Sequence, residues 1–274
     1  MPSVTPDEMS PAPPRWKPIL VAVLALGSLC GALFVKPVPQ DPAYHRFADG
    51  RTMFGIPNFM NVASNLPFLV AGALGVCRVF STSATFLAPW VRWPWLALTG
   101  SIVLTGIGSP YYHWDPTDAT LFWDRLPMAI GFGAVLGIIV TERIDAGWGK
   151  ILWAPLVLAG GGSLLFWRLG GDLRFYGLIQ GWAIVLVPLM LLLFPARYTG
   201  THHWFLILGL YGIAKIFEVG DHATYRIGEC LSGHTLKHLF AGGASWFIYR
   251  HLRTREPASE LNRRDAPAGG IIAP

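Results

Sequence analysis

Apolar residues recur along this chain in long runs that are separated by short polar segments. A run of about 20 apolar residues spans the hydrocarbon core of a bilayer as a single helix. The pattern predicts eight such helices, at roughly 18–36, 57–79, 90–113, 117–141, 150–167, 174–195, 203–219 and 234–252. Because these runs leave no room for a soluble domain, we expect an all-α integral membrane protein.

Composition supports this interpretation. Hydrophobic residues make up 53% and charged residues 14% of the 274 positions, and mean hydropathy is +0.44. These values are far on the apolar side for a soluble domain. The net charge of +5 comes from basic residues scattered among short loops rather than grouped in stripes, so it indicates membrane orientation rather than nucleic-acid binding. The three cysteines are an odd number and imply no disulfide framework.

The runs divide the chain into four parts. Residues 1–17 are polar and proline-rich and are predicted to be a disordered tail, and residues 18–56 form an additional N-terminal helix with an outer loop. Residues 57–252 form a seven-helix core, and 253–274 a cytoplasmic tail. Tryptophans near several predicted helix ends, including Trp95 and Trp204, are typical of interfacial anchors.

Lys and Arg are unevenly distributed between alternate loops. With the N-terminus inside, inner segments hold twelve of them and outer loops six. This bias predicts that both termini, including Arg255 in the tail, are cytoplasmic. His113 then ends an outward-running helix and His234 begins an inward-running one, so the site is expected to open toward the periplasm or lumen.

Ionisable residues interrupt the apolar pattern at two places. The stretch GIGSPYYHWDPTDATLFWDRLPM, from 106 to 128, contains Ser109, His113 and Asp124. Near the C-terminus, the spacing of four between His234 and His238 places both imidazoles on one helix face. Such groups are costly inside a membrane unless they are paired or bound to metal, so they indicate function. Three histidines match the protein ligands of a catalytic zinc, although pairing between helices without metal is the structural alternative.

Ser109 and Asp124 are the candidate catalytic residues. The Ser109 hydroxyl shares a helix face with His113 and would donate a hydrogen bond during catalysis, or would simply bond the carbonyl one turn earlier. Asp124 would act as general acid and base, and the rival interpretation is a structural pair with an arginine or lysine such as Arg125.

Other polar residues in the predicted helices have structural interpretations. Asn58, Asn61 and Asn65, with Ser64 between them, form a polar stripe that is predicted to join helices. Lys215 and Glu218, three positions apart, are expected to pair, and Lys237 is expected to snorkel to the surface.

Taken together, these motifs resemble those of the alkaline ceramidases, part of a membrane hydrolase superfamily that also includes the progestin and adiponectin receptors. The shared pattern is Ser-x-x-x-His, an Asp eleven residues later, and a C-terminal His-x-x-x-His, here Ser109 to His113, Asp124, and His234 to His238. The segment from Asn61 to Asn65 is also similar. The resemblance spans about residues 57–252.

The resemblance implies a zinc amidase that splits ceramide into a long-chain base and a fatty acid, with the three histidines as zinc ligands. It would also imply a calcium site, but Asn58 stands where an acidic residue is expected, and only Asp41 and Asp49 lie nearby. We therefore expect a multi-pass hydrolase acting on ceramide or a related N-acyl lipid. Alternatives are an esterase or acyl-remodelling enzyme with the same metal, a lipid-sensing receptor, and a haem or quinone protein with histidine ligands.

Overall fold

A computed structural model describes residues 13–258 of the chain. Within them the chain forms the helices α1 (Trp16–Phe34), α2 (Phe59–Ala63), α3 (Leu66–Phe80), α4 (Arg92–Trp114), α5 (Asp118–Ile139), α6 (Ala146–Gly170), α7 (Arg174–Leu193), α8 (Thr201–Val219), α9 (Asp221–Gly228) and α10 (Gly233–Thr254). A π-helical turn, Val140–Ile144, extends α5. The predicted all-α class is confirmed for this part of the chain. Most of the predicted tails lies outside the described residues.

The loops gather at two ends of the helix bundle. At one end, the loop at 35–58 is hydrogen-bonded to the loop at 171–173 and to the start of α9. At the opposite end, the segment at 81–91 is hydrogen-bonded to 254–258. The end of α4 and the start of α10, which carry the candidate histidines, lie at the first end, which we call the site end.

Several helices are long and apolar enough to cross a membrane. Five segments meet this description: α1, α2 together with α3, α5, α6 and α7. A sixth is added if α8 and α9, which are bent by 78° relative to each other, count as one span. The helices α4 and α10 are 23 and 22 residues long, but they carry the polar residues of the candidate site. α1 packs against α7 and leaves most of its apolar side chains exposed.

Two details of the helix pattern differ from the sequence prediction. The segment predicted as one helix at 57–79 contains a turn at Ser64 and Asn65, because Pro67 has no N–H to donate to the carbonyl of Ala63. The short helix α9 was not predicted. Its sequence, DHATYRIG, is polar and only eight residues long, so it gives no signal in a search for apolar runs.

The end opposite the site holds a buried ion pair that the sequence did not indicate. Arg255 Nη1 lies 2.5 Å from Glu142 Oε1, and Trp95 Nε1 donates to the same oxygen at 3.0 Å. Arg255, counted from the sequence only as a basic residue of the tail, is buried, and its guanidinium neutralises Glu142 at the end of α5. Trp95 and Trp204 are buried in the core rather than placed as interfacial anchors.

Candidate metal centre and cavity

The three predicted histidines converge at the site end. His113 lies in the last turn of α4, and His234 and His238 lie in the first two turns of α10. All three are buried, and one ring nitrogen from each lies within 4.8 Å of the others. The prediction that these side chains form one cluster is therefore confirmed.

The distance between two of these imidazoles fits a shared metal ion. Nε2 of His113 lies 3.2 Å from Nε2 of His238. Two nitrogens bound tetrahedrally to one zinc at ~2.0–2.1 Å are about 3.3 Å apart. Nδ1 of His113 is buried and has no hydrogen-bond partner among the described residues, so nothing there fixes its tautomer. Three buried imidazoles whose nitrogens converge in this way fit zinc, although the cluster does not select zinc over other transition metals.

A hydrogen bond behind His238 orients its ring. Ser64 Oγ lies 2.9 Å from His238 Nδ1 and donates its own proton to Asn61 O at 3.2 Å. Asn65 Nδ2 also lies 3.4 Å from this nitrogen. When Nδ1 carries the proton, the Ser64 hydroxyl accepts it and Nε2 is free to bind metal. Sequence reasoning had noted Ser64 only as part of a helix-joining stripe. That interpretation holds for Asn61, whose Oδ1 accepts from Thr235 Oγ1 at 2.9 Å.

The start of α10 is held in place by α8 and α9. The Asp221 carboxylate accepts from the backbone N–H of His234 at 2.7 Å and, through its other oxygen, from Ala48 N–H at 2.9 Å. A Cβ on Gly233 would lie 2.3 Å from Phe217 O, so only glycine permits this approach. Phe47, in the loop at 35–58, covers the site, and its ring centroid lies 4.7 Å from that of His113.

The two candidate catalytic residues lie next to each other on neighbouring helices. Ser109 on α4 and Asp124 on α5 are both buried, and both line the cavity described below. The helices approach closely here, because a Cβ on Gly108 would lie 2.2 Å from Trp123 O. Asp124 forms no ion pair with Arg125 in the described structure, so the structural rival is not supported.

A cavity of about 260 Å³ extends from this pair into the bundle. Ser109, Asp124 and His238 line its polar end. Most of the remaining lining is apolar and comes from α4, α5, α7, α8 and α10, including Leu98, Ile102, Val187, Ile207 and Ile248. The cavity is therefore a polar site that opens into an apolar chamber.

Lys237 does not snorkel to the surface, contrary to the sequence expectation. Its ammonium lies 2.8 Å from Glu218 Oε1 and 3.4 Å from His234 Nε2. Glu218 also pairs with Lys215, as predicted, and accepts from the Tyr44 hydroxyl at 2.9 Å. Lys237 pairs with Glu218 inside the bundle instead of extending to the membrane–water interface. Pairing is favoured because two separate buried charges would each be costly.

The residues suggested for calcium do not form a site. Burial raises the pKa of Asp49, but its bonds to Arg51 at 2.8 and 2.7 Å outweigh that effect and hold the pKa below its usual value. Asp41 caps a turn through Ala43 N–H, and the Asn58 amide donates to His113 O at 2.8 Å. These side chains are engaged separately and do not fit a calcium ion.

Comparison with known proteins adds no family assignment, because neither the protein-family models nor the curated sequences match this chain. The resemblance to the alkaline ceramidases therefore depends on the pattern of Ser109, His113, Asp124, His234 and His238. The structure brings all five residues to one end of the bundle.

Proposed function

We propose that this chain is a zinc-dependent intramembrane amidase that hydrolyses ceramide or a related N-acyl lipid to a long-chain base and a fatty acid. The observation that carries the proposal is the placement of three buried imidazoles beside Ser109 and Asp124, where a largely apolar cavity begins. A buried polar centre joined to an apolar chamber is suited to a substrate with a polar reacting bond and a long hydrocarbon chain.

His113, His234 and His238 would hold the metal. When bound, zinc supplies a Lewis acid and activates water as a nucleophile near neutral pH. The Ser64 hydroxyl orients His238 for this role, and Phe47 limits access of bulk water to the centre.

Asp124 would carry the proton. Its carboxylate accepts a proton from the attacking water and delivers it to the nitrogen of the leaving amine, which is a poor leaving group unless it is protonated. Ser109, next to Asp124, donates a hydrogen bond to the oxygen of the scissile carbonyl as negative charge develops there. The apolar chamber beyond the pair holds the acyl chain.

The proposed topology has eight membrane crossings, a seven-helix core preceded by α1. α4 and α10 are included because 23 and 22 residues at ~1.5 Å per residue exceed the ~30 Å hydrocarbon core. Both termini are placed in the cytoplasm by the twelve-to-six bias of basic residues between alternate loops. The site end then faces the periplasm or lumen.

A direct test uses the purified full-length protein in detergent. It is incubated with ceramide and, separately, with a phospholipid ester of matched acyl length, and the products are quantified by mass spectrometry. We expect release of long-chain base from ceramide to be faster than release of fatty acid from the ester, and both to stop in His238→Ala. Ester cleavage with intact ceramide would identify an esterase, and lipid binding without turnover of either substrate would identify a sensor.

A further inference from the structure

Among the described residues that line the cavity, Arg125 is the one cationic side chain without a carboxylate partner within 4 Å. It is 8% exposed, and its Nη1 donates to the Gln40 amide oxygen at 2.6 Å. In the described part of the chain no carboxylate lies within 4 Å of its guanidinium. By contrast, Lys215 and Lys237, which also line the cavity, both pair with Glu218.

Aromatic rings surround this guanidinium. The ring centroids of Tyr44, Tyr176 and Trp167 lie 4.7, 5.5 and 5.7 Å from its Cζ atom. Each such contact contributes on the order of 0.5–2 kcal/mol, but aromatic faces do not use the N–H donors at the edge of the guanidinium plane. The rings therefore fix the plane and leave donors available at its edge.

The charged groups of the cavity lining also leave one positive charge without a counter-ion. Arg125, Lys215 and Lys237 face only two carboxylates in the lining, those of Glu218 and Asp124. The cavity wall thus carries one excess positive charge when all five groups are ionised, and any bound metal would add to it. A buried cation without a counter-ion is costly, so an anion that enters the cavity gains a favourable partner.

We propose that Arg125 is an anion-binding subsite that takes the carboxylate of an amphiphile held in this cavity. The planar guanidinium binds a carboxylate through two parallel hydrogen bonds, which a lysine cannot do. The carboxylate comes either from the head group of an N-acyl amino acid substrate or from a free fatty acid bound in the cavity. The first source rests on the proposed amidase function and narrows its substrate class, whereas the second concerns only binding.

The first experiment compares two substrates that differ in charge. Purified full-length protein hydrolyses N-oleoylglycine and the neutral N-oleoylglycinamide, and kcat and KM are measured for each. If the subsite serves substrates, the carboxylate substrate is preferred by about tenfold or more through a lower KM, as expected for a charge-assisted hydrogen bond. Arg125→Gln removes the preference, measured as the ratio of kcat/KM for the two substrates, so that any change in turnover common to both substrates cancels. Arg168→Gln, on an exposed arginine of α6, is the matched control and keeps the preference.

The second experiment measures binding without turnover. Displacement of a fluorescent fatty acid from the Asp124→Asn protein compares oleate with oleyl alcohol. A tighter affinity for oleate that Arg125→Gln abolishes, without any substrate preference in the first experiment, assigns the carboxylate to the fatty acid. This measurement stays informative if no amide is hydrolysed, so failure of the amidase proposal and failure of the subsite are distinguishable.

The proposal is overturned if Arg125→Gln changes neither the substrate preference nor the affinity for oleate relative to oleyl alcohol. The folding of each variant is checked by its thermal unfolding midpoint. If Arg125→Gln does not fold, Arg125→Lys serves instead, because it keeps the charge but loses the two-bond geometry. Its affinity for oleate relative to oleyl alcohol should fall, and an unchanged ratio also overturns the subsite.

Discussion

Nε2 of His113 faces Nε2 of His238 at 3.2 Å, so the end of α4 meets the start of α10 although 125 positions separate the two residues. α3 packs against both helices but does not carry a histidine to this point. A metal ion held by these side chains would therefore cross-link the first and last parts of the core. Metal binding should be coupled to the stability of the bundle.

Each of the three histidines should be required for metal. We expect about one zinc per chain in the purified protein, and loss of it in His113→Ala, His234→Ala and His238→Ala. The exposed His202, changed to Ala, is the matched control and should keep the metal. Elemental analysis by mass spectrometry measures the content. Wild-type protein that is active and free of transition metal would contradict the assignment.

Ser64→Ala should weaken the metal site without removing a ligand. Loss of the hydroxyl leaves His238 Nδ1–H without its acceptor and frees the ring to adopt the other tautomer. Changes of this kind reduce metal affinity by roughly 10- to 100-fold. Competition with a zinc chelator measures the change, and Ser28→Ala on the exposed face of α1 is the control. Equal affinity in the two variants would show that Ser64 does not orient His238.

The fold could be predicted from the sequence as far as hydropathy carries information. Long apolar runs located every long helix to within a few residues. A helix that spans the lipid must have a minimum length and a mostly apolar composition, and both are visible in the sequence. The same signal missed α9 and the buried pair of Glu142 and Arg255, since both depend on contacts between segments that are distant in the chain. Buried ion pairs are specified by a partner, not by local sequence.

The candidate site was likewise predictable from the sequence only in part. His234 and His238 share a helix face, so their proximity could be predicted from their spacing of four. The expectation that His113 joins them depended on the resemblance to a family pattern. The structure shows the distances between the three side chains. Asp221 and Tyr44 gave no signal, because each acts through a tertiary contact. The pairing of Lys237 with Glu218 was missed because side-chain length alone suggested snorkelling.

Gly233→Ala should disturb the site from outside the ligand set. The added methyl group would lie 2.3 Å from Phe217 O and 2.6 Å from Asp221 Cα, and backbone atoms of two helices cannot move aside independently. We expect a loss of about 1–3 kcal/mol of stability and weaker metal binding, because α10 must shift at its first turn. Gly209→Ala, where no atom lies within 4 Å of the new methyl, is the control. Thermal unfolding with and without added zinc measures both effects.

The orientation of the chain can be tested without reference to activity. The bias of basic residues predicts that both termini are cytoplasmic and that the site end lies outside. Fusions to a reporter that is active only in the cytoplasm should give signal at Pro274, and a glycosylation or labelling tag in the loop at 35–58 should be modified from outside. The reverse pattern would place the site end in the cytoplasm and would change which lipid leaflet supplies the substrate.

Asp124→Asn should separate metal binding from catalysis. The amide is nearly the same size as the carboxylate, but it cannot take a proton from water or return one to an amine. We expect the metal content to stay unchanged and kcat to fall by roughly 10²- to 10⁴-fold. Asp115→Asn, at an exposed position after α4, should leave both unchanged.

Ser109→Ala in the same assay distinguishes two roles for the hydroxyl. As a donor to the scissile carbonyl it contributes on the order of 10²-fold in kcat, which is less than the loss expected at Asp124. A serine that only bonds its own helix backbone would show no change. If Asp124→Asn loses metal together with activity, the carboxylate supports the histidines instead of moving protons, and the assignment of acid–base chemistry to it would be wrong.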